Sequence, residues 1–443
     1  MSPFHRVLVA ILLLANPAWS ATVTVESVAD LRARLAAAQP GDVVVVRNGR
    51  YATDAALRIE RSGTATAPIV VRAESVGGVE FAGTHGFAVT AAASHVVIEG
   101  FVFTHAAGGN TVAAGAHHVR WLRNAFACPG EGADLDVAGD DVEVARNEFR
   151  GKQVVGNMLS VTGAGEQVAR RLWVHHNHFH DYAKAGGNGA ETIRFGRSWL
   201  SMSAGDGLVE HNLFVRCVGE NELITNKSGA NTYRYNTFLD SPGAQLTLRH
   251  GNDCRAYGNY FRNTDGLRVF GDRHRIYGNY FEGNTKGIDM GNGDGEVADG
   301  AKLTCHDRPD DCVVAFNTFV NNRVHYQMGG RTNGLGAARV TVTGNVMVGG
   351  DIAVSLSPTA PHTATWSGNI WWGAKQGGNL PAEGFVQSDP KLVPDNAGVL
   401  RPAPGGRSTG SPAGKQDVTA LTGMEPYTGQ PLTPADVGPA SGR

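Results

Sequence analysis

The hydrophobic positions fall in short runs separated by polar turns rather than in long helical stripes. Segments such as His95-Val96-Val97-Ile98-Glu99-Gly100 and Val340 to Thr343 have the length and β-branched content of short strands. A second pattern follows them: an asparagine, any residue, then an aromatic or large apolar residue. It runs from Asn124-Ala125-Phe126 through Asn147-Glu148-Phe149, Asn177-His178-Phe179 and Asn212-Leu213-Phe214, and on as far as Asn369-Ile370-Trp371. The asparagines are spaced 23, 30, 35, 24, 23, 20, 38, 28 and 24 residues apart. A base interval in the low twenties with strand patterning predicts a right-handed parallel β-helix, each coil built from a few short strands. In that arrangement the aromatic faces the core and the asparagine bonds to its equivalent one coil away. Leucine-rich repeats would need a Leu-x-x-Leu-x-Leu pattern, which is missing, and propeller blades would need about twice the period.

An all-β solenoid needs covered ends. Asp30 to Ala38, with Leu31 and Leu35 four residues apart, predicts a short amphipathic helix capping the N-terminal end. From about residue 376 the repeat fades into Pro- and Gly-rich sequence, expected to wrap the other end as an irregular cap and tail (376–443). The expected division is therefore a leader (1–20), one β-helix domain with its cap (21–375), and that tail. The leader reads as a secretory signal: Arg6, the apolar run Val7–Ala15, then small residues in Ala18-Trp19-Ser20. The expected location is the periplasm or the exterior, with no membrane partner once the signal is removed.

Composition sharpens this picture. Glycine, at 59 of 443 residues, fits many tight turns, and no Gly-X-Y period suggests collagen. Lys and Arg number 39 against 41 Asp and Glu, a balance that argues against a nucleic-acid partner. Of the five cysteines, Cys305 and Cys312 bracket a polar loop and, in an exported protein, predict a disulfide; zinc is the rival reading.

Position after each ladder asparagine locates the chemistry, because equal phases on successive coils stack about 4.8 Å apart. Asn188 and Glu191 lie 11 and 14 residues after Asn177; Glu220, Glu222 and Lys227 lie 8, 10 and 15 after Asn212. Arg249 and His250 follow Asn236 by 13 and 14, and Arg268 follows Asn259 by 9. Ionisable groups thus gather on one wall of adjacent coils. Glu220 and Glu222 alternate around Asn221, so both carboxylates face one side of a strand and call for a cation; with amide oxygens nearby, Ca²⁺ suits them better than zinc. On spacing alone, a solvated Glu-x-Glu is the commoner case, as are a turn lysine at 227, ion-pairing arginines at 249 and 268, and a packed His250.

The segments Glu220 to Ser228, Asn231 to Phe238 and Leu248-Arg249-His250-Gly251-Asn252 together resemble polysaccharide lyase family 6, the family of alginate lyases and chondroitinase B. Asn188 to Arg194, Gly266 to Gly271, Pro40-Gly41-Asp42 and Asn48 to Tyr51 extend the resemblance over roughly residues 22–415. The stretch between Lys227 and Arg249 is one residue longer than the family pattern, and Ala190 stands where a glycine is expected. The resemblance implies Lys227 as catalytic base, Arg249 as catalytic acid, and Asn188, Glu220 and Glu222 as ligands of Ca²⁺. It implies substrate contacts for His250, Arg268, Arg194, Glu191 and Tyr233, with His250 or Tyr233 as alternative proton sources. The implied reaction is β-elimination on an anionic, uronate-containing polysaccharide. Alginate is favoured; the alternatives are dermatan sulfate, with Arg273 and Arg275 as sulfate-binding groups, and a non-catalytic glycan-binding β-helix.

Overall fold

The structure is a computed structural model that describes residues 21–106, 109–183, 186–403 and 429–439. The expected leader lies outside the described residues. Each turn of the chain contributes one strand to each of three parallel sheets. Val43–Val46 belongs to the first, Gly49–Thr53 to the second and Leu57–Ile59 to the third; Ile69–Ala73 then returns to the first. The first and second sheets have 14 strands and the third has 13, every neighbour lying roughly one coil away in sequence. The result is the right-handed parallel β-helix expected from the repeat.

The asparagine pattern marks the corner between the first and second sheets. Each ladder amide accepts both the backbone N–H and the side-chain N–H of the asparagine one coil earlier. Asn212 Oδ1, for example, accepts from Asn177 N at 3.0 Å and Asn177 Nδ2 at 2.9 Å, and Asn212 in turn donates to Asn236 Oδ1. The amide Nδ2 also reaches a backbone carbonyl of the preceding coil, as Asn177 does at Val144. Polar side chains that would be costly in the interior are thereby satisfied along the whole stack. Two residues on, the aromatics point inward and stack: Phe126, Phe149, Phe179, Phe214, Phe238 and Phe261 follow one another at 4.4–4.8 Å with nearly parallel rings.

The residue before each ladder asparagine takes a left-handed backbone conformation. Glycine fills this corner at Gly258, Gly278 and Gly344, but Arg146, His176, His211, Tyr235 and Phe316 adopt it too, with φ of 52–56°. The glycine excess therefore accounts for only part of the turn chemistry; the rest is held by the ladder against the usual Cβ penalty.

The N-terminal cap is the helix Val28–Ala37. Ser27 caps it by accepting from Asp30 N, and Leu31 and Leu35 are buried against the first coils. At the other end the stack outlasts its sequence signal: Gln376–Gly378 extends the third sheet and Phe385–Gln387 the second. The tail does not simply wrap that end. An antiparallel pair, Leu392–Pro394 with Leu400–Pro402, places Leu400 N on the Tyr280 hydroxyl. Farther on, Leu432 N donates to Thr237 Oγ1 and Gly438 N to the His176 carbonyl. The tail thus runs back along the outer face of the second sheet. Its apolar residues cover Tyr260, Tyr280 and Val320, which the coil alone would leave facing water.

The expected Cys305–Cys312 disulfide is not formed. Cys312 is buried and its thiol donates to the carbonyls of Gly271 and Asp310, while Cys305 is half-exposed beside Gly295. The segment between them is bonded to the neighbouring coil through Asp307 and Asp310, and the short sequence separation does not bring the two sulfurs together.

Candidate active site

The third sheet brings the candidate residues to its outer face. One row across its strands reads Ser160, Arg194, Thr225, Thr247, Arg268 and Asp289, each paired in register with the next. Lys227, two residues beyond Thr225, pairs with Gly196 on one side and His250 on the other. Between Glu222–Lys227 and Gln245–His250 the register slips twice. Leu223 is an extra residue on the first strand, and Arg249 is an extra residue on the second, opposite Asn226 and Lys227. The second bulge re-aims a side chain, as bulges do. Arg249 Nη1 reaches Glu222 Oε2 at 2.9 Å, and its Nε is buried with no hydrogen-bond partner.

Glu191, Glu220 and Glu222 bring their carboxylates together, with ligand oxygens within 4.8 Å of one another. Glu191 was expected as a substrate contact; the structure sets it, 1% exposed, as the third member of the acidic cluster. Its Oε2 accepts from Asn157 Nδ2 at 3.0 Å, while Oε1 lacks a hydrogen bond and lies 3.8 Å from Lys227 Nζ. Asn188 lies beside the cluster on the cavity wall, exposed, and the next residue, Gly189, donates its N–H to Glu220 Oε2. Burial, then repulsion from Glu191 and Glu222, pushes the Glu220 carboxyl up to about 7. Three carboxylates at such separations, one with an orphaned buried oxygen, make a donor set that fits a metal ion, and its all-oxygen chemistry fits a hard one.

Lys227 is 9% exposed. Burial lowers its pKa from the ordinary lysine value, aided by Arg249 and Arg194 and opposed by Glu191 and Glu222. His250 is buried, and desolvation with the charges of Arg249, His306 and Lys227 drives it down to about 3, so it stays neutral. Arg268 sits with its guanidinium 4.7 Å over the Phe270 ring. Tyr233, by contrast, does not face the groove. Its position on Thr232–Arg234 points into the coil, where it is fully buried and its hydroxyl donates to Asn226 Oδ1. The strand alternation that places Tyr233 inside puts Thr232 and Arg234 outside.

Asn188, Glu220, Glu222, Arg249 and Arg268 line a cavity of about 680 Å³. Arg268 also borders a neighbouring hollow of about 260 Å³ with Asp289 and Arg331, so the depression continues along the sheet. Sequence reasoning missed Arg331 and His306, the latter with its ring 5.4 Å from that of His250. His306 lies outside the phases used, on the long interval after Asn279, whereas Arg331, 14 residues after Asn317, shares them on a later coil. Another hollow, on the first sheet near His95 and His118, has carboxylates already clamped by arginine: Arg120 holds Glu143 and Arg171 holds Asp141.

A long parallel β-helix with a groove of acidic and basic side chains on one sheet is an architecture suited to an extended, charged polymer. The sequence model for Chondroitinase B matches residues 25–348, and the chain belongs to that family, polysaccharide lyase family 6. Among curated proteins no sequence match is found. Solved structures are similar over most of the chain. The family 6 alginate lyase AlyGC superposes with a TM-score of 0.78 at 25% identity, covering 94% of this chain and 58% of its own. This chain thus spans little more than half the length of that enzyme. A mannuronic acid specific family 6 lyase from human gut microbiota gives 0.70 at 26% identity, covering 80% and 86%. A family 6 alginate lyase in complex with a trisaccharide gives 0.72 at 21%, a likeness of fold, covering 93% and 96%.

Proposed function

We propose that this protein is a calcium-assisted alginate lyase, exported from the cell, that cleaves its polymer by β-elimination. The observation that carries the reading is the convergence of a buried, pKa-lowered Lys227, the bulge-borne Arg249 and the Glu191–Glu220–Glu222 cluster on one groove. Family membership and the alginate lyases among its structural relatives support the substrate class.

Lys227, held toward its neutral form, takes the C5 proton of a uronate residue. The electron pair forms the C4–C5 double bond as the C4–O4 bond breaks. Asn188, Glu191, Glu220 and Glu222 would hold the calcium ion, which supplies electrostatic stabilisation for charge developing on the uronate carboxylate. Arg249 stabilises the departing oxygen through its guanidinium, whose pKa of above ~12 makes it a poor proton donor. With Tyr233 enclosed in the coil and His250 neutral, water protonates that oxygen, and the protonated Lys227 returns its proton to the hydroxide left behind. Arg268 and Arg194, outward on the same row, attract neighbouring carboxylates of the polymer.

Dermatan sulfate is the second reading, favoured by the name of the family model. Against it, Arg273 and Arg275 stand at the first sheet and not on the groove, and Arg273 is committed to Asp253 and Asp299. Ultraviolet absorbance of the unsaturated product, followed on alginate and on dermatan sulfate, tests both. Lys227→Ala is expected to abolish product on alginate; wild-type turnover in that variant, or activity on dermatan sulfate alone, refutes the proposal.

A further inference from the structure

Between the strands Lys286–Met290 and Val313–Ala315 the chain makes a long excursion, 291–312, on the side of the groove. Its two limbs meet at a bridge between Gly295 and Asp307. There Glu296 and Asp307 face Asp272, which belongs to the coil turn after Leu267–Val269, and the ligand oxygens of the three lie within 4.8 Å of one another. Asp272 and Asp307 are only 9% and 3% exposed, yet Asp272 Oδ1 and Asp307 Oδ2 have no hydrogen-bond partner. The other Asp307 oxygen accepts from Val297 N at 2.8 Å, which fixes the carboxylate in place.

Neighbouring arginines do not balance this charge. Arg273 spends its Nε and Nη2 on Asp253 and Asp299, leaving Nη1 3.7 Å from Asp272. Arg308 pairs with Glu296, and its remaining reach is toward Asp310, itself buried, at 3.9 Å. Two orphaned buried carboxylate oxygens, with the exposed Glu296 carboxylate beside them, are the donor set of a hard divalent cation.

We propose that Asp272, Glu296 and Asp307 bind a calcium ion, separate from the groove cluster, which fastens the 291–312 excursion to the coil. The excursion carries His306, whose ring lies 5.1 Å from Phe270 and 5.4 Å from His250 and whose Nδ1 is 3.2 Å from Arg331 Nη2. The ion therefore fixes one wall of the groove. This site does not depend on the lyase reading.

Equilibrium dialysis of the full chain against radiolabelled calcium tests it in a Glu220→Gln/Glu222→Gln background, where the groove cluster is disabled. One ion per chain is expected to remain. Adding Asp307→Asn, or Glu296→Gln at an exposed position that leaves packing intact, should weaken it by about tenfold or more. In the same background calcium should slow tryptic cleavage after Lys302 by about tenfold. No ion retained in the double variant, or an affinity unmoved by Glu296→Gln, overturns the proposal. Should the wild type and the Glu220/Glu222 variant both bind one ion, the groove cluster is refuted while this site stands.

Discussion

Asn212 is the ladder residue of the coil that carries Glu220, Glu222 and Lys227, and Asn212→Ala tests how far that ladder holds the site in register. Its Oδ1 accepts two hydrogen bonds from Asn177, and its two Nδ2 hydrogens are shared among three acceptors, the Val174 carbonyl, the Glu210 carbonyl and Asn236 Oδ1, all at 2.9–3.0 Å. At a net value of about 1 kcal/mol for each of the two accepted and two donated bonds, with a further 1–3 kcal/mol or so for leaving the buried Asn177 N–H groups without their acceptor, the expected loss is about 5–7 kcal/mol. The interior there is fully buried, so water has little room to substitute. Urea unfolding followed by circular dichroism gives the number from the shift in midpoint at constant slope. A loss below about 1.5 kcal/mol would refute the view that the ladder is a principal determinant of stability.

Two further outcomes are expected. Acid should weaken the fold through His274 and His325, both fully buried and held down to about 4 by burial. Each is locked as a neutral tautomer. His274 accepts from Cys254 N and donates to the Phe270 carbonyl, and His325 accepts from Asn322 and donates to the Gly349 carbonyl. Because the folded pKa lies below the unfolded value of ~6.5, their contribution is intact above that pH and is lost as pH falls toward 4, by about 3 kcal/mol apiece. His325→Gln should flatten that loss in a series of thermal melts between pH 7 and 4; an unchanged slope contradicts the assignment. Arg249→Lys should lower kcat by about 100-fold or more with little change in KM, since its role is confined to the transition state; an equal rise in KM would instead mark Arg249 as a general binding group.

The fold was legible because both of its periodic devices leave marks on single residue types. The asparagine of the corner and the inward aromatic two residues later both recur at each coil, so counting from one to the next gave the stack and its core. Phase also brought Glu220, Glu222, Lys227, Arg249 and Arg268 to one wall. It could not reveal which face each side chain takes once the register slips. The bulges at Leu223 and Arg249 are invisible to counting, and Tyr233 shares a segment with the site while pointing into the coil. Excursions defeated the method as well. Cys305 and Cys312 looked like a closed loop, and His306 carried no signal, because the long insert that bears them returns to the coil at places that spacing does not encode.

A stack whose coils touch only their neighbours can open from either end, one layer at a time, like a row of coins sliding apart. The tail alters that. Leu400 is bonded to Tyr280 across 120 residues of sequence and Leu432 to Thr237 across 195. Pulling on the C-terminal coils therefore loads layers near the middle before the last ones come free. Enzymatic trimming of the tail would leave every coil in place and yet convert an all-or-none structure into one that peels, a difference that a force experiment would read as many small steps replacing one large one.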